Sequence, residues 1–259
     1  MPLKEETCAL HVQHVTVNYD KRPALWDISA AVPNGLLIGI LGPNGAGKST
    51  FIKAALGLIP TLSGQIDFFG QPLKKVKQRI AYVPQRESVD WDFPITVLDL
   101  VIMGRYGKLG LFRWPGKKER ELAFTYLQMV GMEGFADRQI SQLSGGQQQR
   151  VFLARALIQE PDIFFMDEPF TGVDAATEAV LVQILKDLKE KGKTAFIVHH
   201  DLNNVAQYFD WAMLLNMRLV ACGPVEEVFT AENIQRAYGN SSTLLTEALT
   251  LSQLKTSGR

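Results

Sequence analysis

The nine residues GPNGAGKST at positions 42–50 come directly after a short apolar run, LLIGIL, at positions 36–41. They fit the pattern G-x-x-x-x-G-K-[ST], in which glycines allow backbone N–H groups to point inward at phosphate oxygens. The apolar run is typical of a buried parallel strand, and STFIKAALGL, which begins inside the motif, is typical of a helix that ends at Gly57 or Pro60. A strand, this loop and a helix in that order predict a site for nucleotide phosphates, because the helix presents its positive N-terminal end to the anion.

Within the loop, Lys48 is expected to reach the β and γ phosphates, and Ser49 is expected to bind Mg²⁺ through its hydroxyl. The alternative is a glycine-rich turn that fits the pattern by chance, and the flanking strand and helix argue against it. The predicted nucleotide-binding residues of the loop are Gly42, Pro43, Asn44, Gly45, Ala46, Gly47, Lys48, Ser49 and Thr50.

A pair of carboxylates follows a second apolar run, in IFFMDEP at positions 163–169. Four apolar residues end in Asp167 and Glu168, which places both side chains at the carboxyl end of a buried strand, where open α/β sheets bind their ligands. We expect Asp167 to hold Mg²⁺ through water, and Glu168 to orient or deprotonate the attacking water. Taken alone, the pair fits a solvated acidic loop equally well, and the phosphate loop upstream favours the catalytic interpretation.

The charge and cysteine content narrow the class of protein. The 259 residues include 27 Lys+Arg and 27 Asp+Glu, and this balance argues against a nucleic-acid partner, which would need a basic face to replace phosphate counterions. Cys8 and Cys222 form no C-x-x-C pair and indicate reduced thiols rather than a disulfide scaffold. The first ten residues, MPLKEETCAL, lack the apolar stretch of a signal peptide, and no run of about 20 mostly apolar residues predicts a membrane span.

Strand and helix patterns alternate along the chain. ALHVQHVTVNY and ISAAV predict strands because β-branched residues recur at period two, and DIFFMDEP and TAFIVHHD predict further strands. TVLDLVIMG and ERELAFTYLQMVGM have apolar residues at helical spacing, as does ATEAVLVQILKDLKEKG, which is predicted to end at Gly192. The predicted apolar face of this last helix consists of Val180, Leu181, Ile184, Leu185 and Leu188. These patterns predict an α/β fold with a parallel-sheet core and a helical insertion.

The stretch LSGGQQQR at positions 143–150 resembles the signature motif of the ABC ATPases. A helix N-cap at Ser144 would describe the same local geometry, but it does not explain why the other motifs accompany it. The resemblance covers about residues 8–230. It implies a P-loop NTPase (RecA-like) core with an N-terminal antiparallel β portion and an inserted α-helical subdomain, and ATPase activity with ATP and Mg²⁺ as cofactors.

Four further motifs of this family are matched in order. Tyr19 resembles the aromatic residue that stacks on adenine, although a strand tyrosine packed on the core is an alternative. Gln85, in AYVPQ, resembles the glutamine that touches Mg²⁺ and the water. TGVD departs from the commoner S-A-L-D of the family's D-loop, so only Asp174 is carried over. VHHDL resembles the family's switch region, in which the histidine directly precedes the acidic residue, so the assigned histidine is His200 rather than His199. The resemblance thus implies Glu168, His200 and Gln85 as catalytic residues, and Ser49, Gln85 and Asp167 as Mg²⁺ ligands.

The family also implies an arrangement that one chain cannot provide. In ABC ATPases the signature motif of one subunit closes on the phosphate loop of another, so a chain with one set of motifs should work as a homodimer with two ATP molecules between its subunits. The residues implied to act on the partner's ATP are Ser144, Gly145, Gly146, Gln147 and Asp174.

Three uses of the ATPase compete at this point. Soluble ABC proteins of ribosomes usually carry two ATPase units on one chain, and ABC ATPases of DNA maintenance carry a long coiled coil where this chain has about 60 residues between Gln85 and the signature. The chain most resembles a prokaryotic importer subunit, which implies a separate membrane permease, an extracellular or periplasmic metal-binding protein, no nucleic acid, and a place on the cytoplasmic face of the cell membrane.

The segment after Gln85 narrows the resemblance further. VDWDFP, MGRYG and FRWP, together with VHHDL, resemble the manganese, zinc and iron type of metal importer. We expect Phe93 and the helix Leu98–Met103 to pack within the helical subdomain. The predicted permease contact consists of Arg105, Tyr106, Phe112, Arg113 and Trp114, because exposed aromatic and arginine residues suit interface anchors.

The transported substrate stays open from the sequence. An importer of chelated iron (siderophore) or cobalamin would share every core motif. The histidines at 11, 14, 199 and 200 form no convincing metal-binding set.

The domain boundaries are predicted at 1–235 for one ABC ATPase domain, with the core at 1–86 and 159–235, the helical subdomain at about 87–158 and a short tail at 236–259. The chain after about Gly223 is predicted to begin with one short helix, VEEVFTAENIQRAYG.

Overall fold

The structure is a computed structural model that describes residues 8–19, 22–110 and 113–239. Its strands are β1 (Cys8–Tyr19), β2 (Arg22–Pro33), β3 (Leu37–Leu41), β4 (Ser63–Phe68), β5 (Gln71–Pro72), β6 (Ile80–Val83), β7 (Ile163–Met166), β8 (Thr194–Val198), β9 (Trp211–Asn216) and β10 (Arg218–Pro224). Its α-helices are α1 (Lys48–Ala55), α2 (Leu73–Val76), α3 (Val97–Ile102), α4 (Tyr106–Leu109), α5 (Lys117–Met129), α6 (Gly145–Leu157), α7 (Ala175–Glu190), α8 (Val205–Tyr208), α9 (Val225–Val228) and α10 (Ala231–Tyr238).

The chain divides into two compact units, residues 1–76 with 194–259 and residues 77–193. The first unit contains an antiparallel sheet in the order β2-β1-β4-β5. The pairing of β1 with β2 changes register between Val12 and Val15, where His14 takes a positive φ of 51°. This sheet confirms the predicted N-terminal antiparallel β portion.

The first unit also contains the strand that leads into the phosphate loop. β3 pairs in parallel with β8 on one side and with β9 on the other, and β10 pairs antiparallel with β9. Every residue of β3 and of β8 is buried, as expected for strands of a parallel core that is covered on both faces. The helix after the loop, α1, ends at Ala55, just before the predicted stop at Gly57.

The second unit combines two parallel strands with the inserted helices. β6 pairs with β7 from Ile80 opposite Ile163 to Val83 opposite Met166. The helices α3, α5 and α6 pack on one another and form the helical subdomain, with Ala123 and Leu127 of α5 buried. The fold is therefore that of a P-loop NTPase with a parallel-sheet core and an inserted α-helical subdomain, as the sequence predicted.

Three local expectations were wrong. Val180 is 37% exposed because it lies about 90° around α7 from the centre of the buried face. Thr177 is buried on that face instead. Phe93 is 56% exposed. Pro94 favours an extended backbone at Phe93, and it is the ring of Trp91 that packs on the helical subdomain, against Phe152. The predicted single helix after residue 225 is two helices, because the Thr230 side chain caps a new N-terminus at α10.

No helix in the ranges that the structure describes is long and apolar enough to cross a membrane.

Candidate functional site

The phosphate loop lies in the first unit, between β3 and α1. The ammonium group of Lys48 is buried and donates to the carbonyl oxygens of Gly42, at 2.8 Å, and Pro43, at 2.9 Å. The carbonyl of Ala46 accepts a hydrogen bond of 2.9 Å from the N–H of Met217, in the turn between β9 and β10. The loop is thus tied to its own lysine and to the neighbouring strand pair, while Asn44 and Gly45 are exposed at its tip.

Gly42 shows why the loop begins with glycine. Its φ is +147°, and a Cβ atom built there would lie 2.1 Å from the carbonyl oxygen of Leu215. A residue with a side chain would have to displace the backbone of β9, so only glycine fits this first position without a shift.

Two other predicted site residues belong to the same unit. Tyr19 ends β1 with its side chain about half exposed, so it is not the core tyrosine that the alternative required. After β8 the two adjacent histidines separate: His199 is buried and packs edge-on against the ring of Phe209, with centroids 5.5 Å apart, whereas His200 is exposed. Of the two, His200 is the one available to a ligand.

The two carboxylates lie in the second unit, at the carboxyl end of β7. Asp167 is 1% exposed, and its N–H donates to the carbonyl of Val83 at 2.9 Å. Burial, and to a smaller extent the negative charge of Asp167, raise the pKa of Tyr82 to about 12. A buried carboxylate at the end of a strand is the kind of oxygen ligand that Mg²⁺ takes.

Glu168 has a left-handed backbone, with φ at +53°, which is rare for a residue with a side chain and concentrates at functional sites. Its Oε2 lies 3.4 Å from Nε2 of Gln85 and 3.3 Å from Oγ1 of Thr171, both of which donate to it. The structure therefore brings Gln85 and Glu168 together. Thr171, which the sequence analysis set aside as a departure from the family pattern, contributes a hydroxyl to the same carboxylate.

The signature motif forms the N-terminus of α6, also in the second unit. Ser144 caps the helix and accepts from the N–H of Gln147, whose side chain accepts from the N–H of Ser144 at 2.9 Å, as in a capping box. Asp174 caps α7 by accepting from the N–H of Thr177 at 2.7 Å, and this hydrogen bond is the main reason why the pKa of Asp174 is lowered. A Cβ at Gly146 would lie 3.3 Å from the Thr177 hydroxyl, so these two capped helix ends are neighbours.

The aromatic segment after α3 is mostly exposed. Trp114 is 89% exposed and Tyr106 about half exposed, and they line a cavity of about 450 Å³ together with Arg113 and Pro115. Arg105 differs, because its guanidinium lies against the carbonyl of Ile158 and the carboxylate of Glu160, each at 3.3 Å. The remaining member of the predicted permease contact, Phe112, lies outside the described residues.

Within the described parts of the chain, no three His, Cys, Asp or Glu side chains are grouped so as to hold a metal ion.

A family model described as ABC transporter matches residues 25–171. The chain belongs to the ABC transporter family. It is 59% identical over 236 residues to the manganese transport system ATP-binding protein MntB of Bacillus subtilis, across 91% of this chain and 94% of that one. It is 57% identical over 238 residues to the zinc transport system ATP-binding protein TroB of Treponema pallidum, across 91% and 90% of the two chains.

Among solved structures, CbiO1 of Clostridium perfringens, part of the ABC transporter complex CbiONQ, is similar with a TM-score of 0.72 and 27% identity, across 93% of this chain and 98% of that one. The likeness confirms the predicted fold. As a member of the ABC transporter family, the chain is an ATP-binding subunit of a transport system and an ATPase.

Proposed function

We propose that the chain couples ATP hydrolysis to the uptake of a divalent metal, manganese or zinc, through a separate membrane permease. The observation that carries this proposal is its identity of 59% and 57% to subunits named for manganese and zinc transport, over about nine-tenths of the chain. The alternative is an importer of chelated iron (siderophore) or cobalamin, which would share every core motif.

In this proposal ATP binds to the first unit through the phosphate loop. Backbone N–H groups of the loop face the phosphates, Lys48 contacts the β and γ phosphates, and Tyr19 stacks on the adenine. Ser49, Gln85 and Asp167 hold Mg²⁺, and the buried carboxylate of Asp167 fits that role. When bound, Mg²⁺ neutralises the negative charge that builds up on the phosphates during hydrolysis.

Glu168 is the proposed general base. Its carboxylate orients the attacking water and accepts the proton as the bond to the γ-phosphate forms, and the product is ADP with inorganic phosphate. The amide of Gln85 and the hydroxyl of Thr171, which donate to Oε2, hold the carboxylate in one orientation. His200, exposed beyond β8, is the proposed contact with the γ-phosphate.

Two subunits share each ATP in the proposed homodimer. The capped N-terminus of α6, at Ser144, Gly145, Gly146 and Gln147, closes on the γ-phosphate held by the partner, and Asp174 borders the same site. ATP then favours the closed dimer because only that state makes both sets of contacts, and hydrolysis reopens it.

The remaining partners are membrane and external proteins. The exposed Tyr106 and Trp114, with Arg113, form the proposed contact with the permease. In this proposal the chain lies on the cytoplasmic face of the membrane. The transported metal passes through that permease from an external binding protein and never touches this chain.

Elemental analysis of cells tests the proposal. In the native host, the chain is replaced by its Glu168→Gln variant, and cellular manganese, zinc and iron are measured after growth in metal-depleted medium. We expect ATP binding to persist, hydrolysis to fall by about 10²–10⁴-fold, the usual scale for a positioned base, and one metal to fall selectively.

Glu190→Gln, at the exposed C-terminal end of α7, is the matched control and should leave both ATPase activity and metal content unchanged. Near-normal turnover by Glu168→Gln would contradict the role of Glu168. A normal content of all three metals, in cells without a redundant uptake system, would contradict the transport of a free metal ion while leaving the ATPase in place.

A further inference from the structure

The segment that follows Gln85 is attached to the signature helix at two points, and both run through Arg86. Nε of Arg86 donates to Oε1 of Gln148 at 2.8 Å. The carbonyl of Arg86 accepts from Nε1 of Trp91, also at 2.8 Å, and the Trp91 ring packs edge-on against Phe152 with centroids 5.0 Å apart. Gln148 and Phe152 are four residues apart on α6 and therefore share one helix face.

The side chain of Arg86 lies over the first turn of α6. A Cβ built at Gly145 would be 3.0 Å from Cζ of Arg86, so the missing side chain at this signature position leaves the space that the guanidinium fills. Gln148 is 4% exposed, and its Nε2 donates to the carbonyl of Ile140 at 3.4 Å. Because a guanidinium carries donors only, the amide must turn its oxygen toward Arg86, and the Ile140 carbonyl favours that orientation.

Gln85, which precedes this segment, contacts the carboxylate of Glu168, the proposed general base. Gln85 donates to Glu168, and the carbonyl of Gln85 accepts from the N–H of Ser88 at 3.0 Å and from its hydroxyl at 2.7 Å. The result is a compact turn in which two consecutive residues point in different directions. Gln85 contacts the proposed general base, and Arg86 contacts the helix that carries the signature.

We infer that Arg86 is a positioning residue that couples the position of the Gln85 side chain to the position of the signature turn, Ser144–Gly146. The inference rests on the proposed function, in which Gln85 acts on the ATP of its own subunit and the signature turn acts on the ATP of its partner. Through Arg86, a displacement of Gln85 shifts the first turn of α6, so the two ATP sites respond to each other. Without the guanidinium, the attachment to Gln148 is lost and only the attachment of Trp91 to the Arg86 carbonyl remains, which weakens the coupling.

The test compares Arg86→Met, Gln148→Leu and the double variant in the full-length chain. We expect Arg86→Met to lower kcat about tenfold, the scale of one hydrogen bond to a charged group, while the affinity of the monomer for ATP stays within about twofold. In the Glu168→Gln background, about tenfold more protein should be needed for ATP-induced dimerisation, followed by size-exclusion chromatography. The double variant should be no worse than either single variant, and Arg86→Lys, which keeps a donor, should recover part of kcat.

Arg120→Met is the matched control, because Arg120 is an exposed arginine of the same unit, on α5, and lies 3.9 Å from Asp99. It should leave kcat and dimerisation unchanged, and neither Arg86→Met nor Arg86→Lys should shift the unfolding midpoint by more than about 2 °C. Since Arg86 is itself exposed, its variants are expected to fold.

Unchanged kcat and dimerisation in Arg86→Met would overturn the inference, as would independent, multiplicative losses in the double variant. A loss of kcat that tracked a lowered unfolding midpoint would also overturn it, in favour of a role in stability alone. The proposed function fails by a different result, near-normal turnover in Glu168→Gln. Loss of turnover there with a normal Arg86→Met variant would refute the coupling and leave the proposed function standing.

Discussion

The fold requires glycine at one position of the phosphate loop and does not require it at another. Gly42 has its absent Cβ directed at a backbone carbonyl of β9, whereas Gly45, three residues later, has a φ of +79° and open space around the corresponding position. Both glycines lie in the same loop, but of the two only Gly42 is required by packing. The second is required, if at all, by its ligand.

This contrast predicts the stability of two alanine variants. Gly42→Ala should lower the free energy of unfolding by about 2–4 kcal/mol, because the new Cβ must displace the Leu215 carbonyl. Gly45→Ala should cost only about 1 kcal/mol, for a left-handed backbone without a clash. Urea unfolding of the two variants measures the difference, and equal losses would contradict the packing argument.

Other residue-level features carry no signal in the sequence. Glu168 was predicted as a catalytic residue from its place after an apolar run, but its left-handed φ follows from the tertiary turn after β7. Thr171 and Arg86 were missed because a lone threonine or arginine belongs to no periodic pattern, and their partners, Glu168 and Gln148, are 3 and 62 residues away in the chain.

At the scale of elements, the second unit has an ionic anchor where its two strands begin. Asp162, just before β7, accepts from Nε of Arg79 at 2.6 Å and from Nζ of Lys193 at 2.7 Å, and its N–H donates to the carbonyl of Arg79. Partial burial alone would raise the pKa of Asp162, but the hydrogen bonds from Lys193 and Arg79 outweigh that effect and lower the pKa below its ordinary value of 3.8.

A pH dependence follows from this anchor. Because the pKa is lower in the folded state, the carboxylate stabilises the fold above the unfolded-state pKa, and this contribution is lost as the pH falls through the folded-state pKa. Asp162→Asn should therefore lower the unfolding midpoint at pH 7 by about 2–4 °C, a modest effect because the pair is partly solvent-screened. The difference from the parent chain should shrink below about pH 4. The exposed Asp137→Asn serves as the control, and a difference that persists unchanged at pH 3 would contradict the assignment.

The elements that the sequence predicted well are those with strong periodicity and clear ends. β3, β7, β8, α5 and α7 were predicted because continuous apolar runs or helical spacing end at glycine or at charged residues. The strands β4, β6, β9 and β10 were not predicted. For β4 the reason is its exposure, since SGQIDF has too few apolar residues for a period to show. Phe93 and Val180 were placed wrongly because hydrophobicity alone does not say which side of a turn or helix faces the core.

At the scale of the whole molecule, the large exposed apolar side chains are informative because soluble surfaces hold few of them together. Trp114 and Tyr106 share one cavity, whereas Trp26, about half exposed in the other unit, lies 5.9 Å from the guanidinium of Arg218. Clustered aromatic residues beside an arginine are typical of binding hot spots, and single exposed residues are not.

This difference predicts a separation of function. Trp114→Ala should leave the ATPase activity of the isolated chain unchanged but weaken its association with the permease by about tenfold or more. Co-purification from detergent-solubilised membranes and cellular metal content provide the measurements. Trp26→Ala, which removes an exposed tryptophan elsewhere, should change neither, and equal effects of the two variants would contradict a docking role for Trp114.

The phosphate loop illustrates how a folded chain prepares for a ligand before meeting it. Its Ala46 carbonyl is bonded to the β9–β10 turn, where Met217 itself adopts a positive φ of 57°, and Lys48 joins the two carbonyls at its start. The conformational entropy of these residues is therefore lost during folding rather than during binding. An incoming nucleotide meets a receptor that is already shaped, so the free energy of its phosphate contacts remains available for closing the proposed homodimer.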